Sequence, residues 1–153
     1  MNAVQRLARR LGMRRGWVGW LGYMLAASAL AQAACPDTAD LRADMLQGRW
    51  QVELQDASTG AVQLWQLELG PHPDYPGSLR GTLAQGSVRY PVAADLDDGE
   101  LTLEESHDGR QIAATWLGEV VEGSCAQVLR GVRQSGSAPA TQQGFVLRWH
   151  GPR

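Results

Sequence analysis

Lysine is absent from this chain, and all 14 of its basic residues are arginine. Five of them, Arg6, Arg9, Arg10, Arg14 and Arg15, lie in the first 15 residues, where no acid occurs. The other nine face all 16 acids, so residues 34–153 carry a net charge of −7. That sign argues against a phosphate-binding surface and against nucleic acid as a partner. The missing lysine itself points to a biased genome more than to a function. Apolar runs of membrane length are absent too. The longest, residues 17–31, is about 15 residues, broken only by Ser28, against the roughly 20 needed to span a bilayer.

Motifs for catalysis and metal binding are equally scarce. His72, His107 and His150 fall in a loop, a turn and the C-terminal tail, with no i,i+4 pair and no H-E-x-x-H. There is no G-x-S-x-G elbow, and Ser124 has no base near it in sequence. The acidic turn Asp95, Asp97, Asp98 and Glu100 does not follow the order of an EF-hand loop, and its Asp-Gly is a hairpin signal. Glu104 and Glu105 read as a solvated strand end. No catalytic residue, metal or cofactor is assigned, and the expectation is a protein that is not an enzyme.

What is present begins with the N-terminus. A basic start, an apolar stretch and Ala31-Gln32-Ala33 occur in the order of a secretory signal peptide, so residues 1–33 are read as the signal and 34–153 as one exported domain, periplasmic or extracellular. Gln32 stands where a lipoprotein signal usually has an aliphatic residue, which argues against lipid anchoring at Cys35. Cys35 and Cys125 are the only cysteines, and an even pair in an exported chain reads as a disulfide. Closing that loop would contribute roughly 4 kcal/mol in the chain-entropy picture. A metal pair, a reactive thiol or a lipidated Cys35 are the alternatives.

Within 34–153 the dominant signal is alternation. Trp50, Val52 and Leu54 alternate with Gln51, Glu53 and Gln55, the period of a half-buried strand. Residues 36–45 before it carry a proline early, then Asp37 and Asp40, then Leu41 and Met45, which predicts a short helix. The second strand, 62–69, slips phase between Val62/Leu64 and Trp65/Leu67/Leu69, as a β-bulge or burial on both faces would require. A loop with three prolines, residues 71–76, carries Tyr75 and offers a stiff contact surface. Further alternating runs follow at 79–83, 88–92, 101–103, 112–116, 125–133 and 145–149, separated by turn residues. Pro91 marks an edge or a strand end. No helical crossover separates these runs, so neighbours are expected to be antiparallel. The prediction is an all-β fold, an eight-stranded antiparallel up-and-down barrel after a short helix, with a β-sandwich as the alternative.

Gly48-Arg49-Trp50, a short helix before it and an eight-strand meander after it resemble the start of lipocalins and other calycins. The resemblance implies a barrel with Gly48 and Trp50 closing one end and an arginine near the last strand beside the tryptophan, for which the chain offers Arg148 on the last strand and Arg130 and Arg133 on the strand before. No Thr-Asp-Tyr motif occurs between the middle strands. Bacterial periplasmic protease inhibitors are similar in size and in having a single disulfide. The function expected is therefore a non-enzymatic exported binding protein, taking an apolar small molecule or a protein partner at the open end of the barrel. Trp65, Tyr90 and Trp116 are the candidate ligand-lining residues. The alternative is a protease-inhibitor-like or envelope accessory protein with a filled barrel that acts through loop contacts.

Overall fold

The computed structural model describes residues 35–56, 58–136 and 141–152, all within the unit Ala33–Arg153. The proposed signal peptide lies outside the described residues. Eight strands form one closed antiparallel barrel in sequence order: β1 Gly48–Gln55, β2 Val62–Pro71, β3 Leu79–Gln85, β4 Val88–Asp97, β5 Glu100–Ser106, β6 Ile112–Val120, β7 Val128–Ser135 and β8 Gln142–Gly151. β8 closes on β1, with Leu54 opposite Phe145, Val52 opposite Leu147 and Trp50 opposite Trp149. That closure removes the sandwich alternative. No helix among the described residues is long and apolar enough to cross a membrane. The barrel's outer face carries Arg49, Gln51, Glu53, Gln66 and Glu68 at exposed or half-buried positions, with Val62, Leu64, Leu117 and Val132 exposed among them.

Alternation directs one face of every strand inward. Trp50, Trp116 and ten leucines are the largest side chains with almost no exposed surface, and they pack into one continuous core. The phase slip in β2 is not a bulge. β1 and β2 pair without interruption from Gly48↔Leu69 to Gln55↔Val62, so Val62 and Leu64 simply face outward while Trp65, Leu67 and Leu69 face in. Asp98 and Gly99, at φ 50° and 81°, form the two-residue turn between β4 and β5, the geometry that strand twist favours. In the β1–β2 turn, hydrogen bonds from the Ser58 hydroxyl and from the amide and hydroxyl of Thr59 pull the Asp56 carboxyl down to about 2.

The helix expected over 36–45 is instead a strap of two 3-10 turns, Thr38–Asp40 and Ala43–Leu46. Leu41 and Arg42 between them are extended. Ten residues are too few to hold an isolated helix, and the extended break lets Leu41, Ala43 and Leu46 all bury against the core. The strap is tied by the disulfide Cys35–Cys125, which is compatible with an oxidising compartment. Cys125 and Ala126 stand in the left-handed region at φ 52° and 59°, so the strand expected from 125 begins only at Val128.

At this strap end Trp50 is a plug, and its indole Nε1 donates to the Leu46 carbonyl at 2.9 Å. Arg148 is not beside it. Arg148 is out of phase with the buried Phe145 and Leu147, so it points outward and pairs with Glu53 at 3.3 Å. Gly48 has a steric role: at φ 136°, an added Cβ would come within 2.7 Å of the Gly151 carbonyl oxygen and 2.8 Å of Trp149 Nε1. Gly48→Ala should therefore lower stability by about 2 kcal/mol or more, read as a shift of the urea midpoint, whereas Gly60→Ala in an open turn should lower it less.

Candidate functional site

The other end of the barrel, the mouth, is where apolar alternation breaks. Leu101, Leu103 and Glu105 share the inward face of β5, and Leu129, Gly131 and Arg133 share that of β7. β6 lies between them, with Ala114 opposite Glu105 and Trp116 opposite Arg133. The small Ala114 leaves room for the guanidinium to reach across to the carboxylate. Gly118 and Gly131 face each other one step deeper. A Cβ on Gly131 would run into the Leu117 carbonyl, and one on Gly118 would lie 2.7 Å from Phe145 Cζ, so these glycines let the walls close on Phe145.

Glu105 has 0% of its surface exposed and is the sole buried charged residue among those described. Arg133 grips it from two nitrogens, Nε to Oε2 at 2.9 Å and Nη2 to Oε1 at 3.0 Å. Trp116 Nε1 donates to Oε2 at 3.0 Å. His107 Nε2 lies 2.8 Å from Oε1, and an ionised carboxylate only accepts, so that nitrogen carries the proton. The remaining guanidinium arm, Nη1, donates to Gln143 at 3.0 Å. Arg133 also lies over two indoles, with Cζ 5.8 Å from the Trp65 ring and 5.6 Å from the Trp116 ring. Such contacts are worth about 2 kcal/mol when desolvated.

The three residues expected to line a cavity do converge. Trp65 lies 6.4 Å from Tyr90 and 6.3 Å from Trp116 between ring centroids, and Tyr90 stacks on His107 at 4.5 Å. Two of them, Trp65 and Trp116, face not a cavity but Arg133, whose side chain is only 11% exposed. Glu105 is thus buried, not part of the solvated strand end expected from the sequence. Its parity with Leu101 and Leu103 was the available signal, an acid standing in the apolar phase.

Chemically, this arrangement favours closure of the mouth over proton transfer by Glu105. Burial pushes the Glu105 carboxyl up, but the hydrogen bonds from Arg133, His107 and Trp116 and the charge of Arg133 outweigh it, and the pKa falls below the ordinary value. Each oxygen accepts two donors, so neither is poised to take a proton from a substrate. No group of three or more His, Cys, Asp or Glu that could hold a metal ion occurs among the described residues. Elsewhere, the proline-rich loop at the strap end is stiffened by His72, whose Nδ1 accepts from the amides of Asp74 and Tyr75. That loop leaves Tyr75 65% exposed.

A carboxyl with a depressed folded pKa contributes stability above its unfolded value of about 4.3 and loses it as pH falls through the folded value. Unfolding free energy should therefore drop as pH falls below about 4. Glu105→Gln should flatten that part of the acid limb and cost about 3 kcal/mol at pH 7, both read from urea melts across pH. An unchanged acid limb in the variant would remove Glu105 from the explanation.

No family model matches the chain, and no curated protein matches it. Among solved structures it is similar to a redesigned β-barrel, at 12% identity and a TM-score of 0.48, over 74% of this chain and 99% of that one.

Proposed function

We propose that this chain is a non-enzymatic exported protein that binds a protein partner through its outer surface and loops, with a barrel interior that serves as scaffold. The observation that carries this reading is the filled interior. One end is sealed by Trp50 and the strap, and the other by Arg133 held between Glu105 and two indoles. An apolar ligand of drug size needs a pocket of roughly 300 Å3 or more, and here the same space is packed with leucine and tryptophan. The fully engaged Glu105 weighs against catalysis. The disulfide and the basic–apolar–small order of residues 1–33 support export. A calycin-like ancestry belongs to the same proposal and rests on Gly48 and Trp50.

The convergence of Trp65, Tyr90 and Trp116 supports a second reading, in which an apolar small molecule enters the mouth after Arg133 swings aside. A dye titration separates the two. On the partner reading, an environment-sensitive apolar dye gives no saturable fluorescence gain and no tryptophan quenching. Cross-linking in an envelope extract then traps a discrete adduct of higher mass. Stoichiometric dye binding with tryptophan quenching would overturn the partner reading in favour of the cavity.

A further inference from the structure

The strands of this barrel do not end level. β2 pairs with β1 along residues 62–65, from Gln55↔Val62 to Val52↔Trp65. Its ladder with β3 stops at Gln66↔Ala84. Among the described residues, 62–65 therefore have no strand partner on the β3 side, and the side-chain bond from Gln85 Nε2 to Gln63 Oε1, at 3.4 Å, bridges the gap. Unpaired backbone N–H and C=O groups along a strand are a template for another strand.

Proteins usually guard such an edge with proline or charge. β4 follows that rule, because its residues 88–91 extend beyond the ladder with β5, which begins at Val92↔Glu105, and Pro91 stands in that overhang. The β2 overhang carries neither. Its outward side chains are Val62 and Leu64, 58% and 65% exposed.

A groove of about 530 Å3 runs along the outer wall from Leu64, floored by the small Thr82 and Ala84. Arg49, Arg89 and His150 line it. Glu68, the acid in its lining, is already engaged within the chain. Arg89 is exposed and forms no ion pair among the described residues. On a domain whose residues 34–153 carry −7, a groove edged by arginine favours an acidic occupant.

We propose that the 62–65 edge and this groove bind an extended peptide segment of a partner protein, added as a further strand beside β2. This rests on the partner-binding reading and names its surface. Main-chain hydrogen bonds to 62–65 would supply affinity, apolar side chains on the outer face would cover Val62 and Leu64, and a flanking carboxylate would meet Arg89. The period of two along a strand places such side chains at alternate positions.

The test uses a blocked nonapeptide with valine at alternate positions and glutamate at both ends, titrated into the full chain and followed by amide NMR. The expected result is saturable shifts at residues 62–66, with amide exchange there slowed at least tenfold. Arg89→Glu and Leu64→Lys, both at exposed positions, should each weaken binding about tenfold. A peptide with central proline should not bind. The proposal is overturned if there are no saturable shifts, or if a lysine-ended peptide binds equally well. It is overturned equally if the same protection appears without peptide as protein concentration rises, because the occupant is then a second copy. If the peptide fails while cross-linking still traps a partner, the edge is wrong and the partner reading stands. If both fail, the partner reading falls as well.

Discussion

Eight strands closing on themselves leave an interior just wide enough for large side chains to fill. In this chain that limit decides how each end is finished. Leucines take the middle, and each end needs a wide, flat group to stop water entering. At the strap end the group is the Trp50 indole, bonded to the Leu46 carbonyl. At the mouth it is a guanidinium lying against Trp65 and Trp116, and a cation so placed needs an anion within reach. Glu105 supplies it.

A buried ion pair is a costly way to close a barrel. Desolvating both charges offsets most of their attraction, and a well-packed apolar pair would often serve stability as well or better. The pair makes sense as a specificity device because its geometry is narrow. Two nitrogens of Arg133 meet two oxygens of Glu105, and Trp116 and His107 take up the remaining acceptor capacity. A register slip of one residue between β5, β6 and β7 would turn one of these groups outward and leave the other buried alone. The mouth therefore holds the register of three strands, as the disulfide holds the strap.

Much of this was legible in the sequence, because a period of two survives tertiary context. All eight strands and the Cys35–Cys125 bond follow from local alternation and cysteine count. The strap reads as a helix in sequence because Leu41 and Met45 fit a helical spacing, while the covalent tie and the extended break that buries Leu41 are long-range effects. The family likeness asks for an arginine beside Trp50, and Arg148 cannot serve because it alternates with the buried Leu147. The ion pair at the mouth was half visible. Glu105 and Arg133 both stand in the apolar phase of their strands, but which acid meets which base depends on the β5–β6–β7 register and on the smallness of Ala114. The free edge of β2 depends on where the β3 ladder stops, and no window of sequence around residue 64 carries that.

Closure at both ends is the central claim, and hydrogen exchange at the indole Nε1 protons reads it directly. Trp50 reports the strap end and Trp116 the mouth, each through a buried hydrogen bond. Both protons should exchange at the same slow rate, set by global unfolding. Exchange of the Trp116 proton at the rate of an exposed indole, with Trp50 still protected, would show the mouth open and contradict the filled, closed barrel.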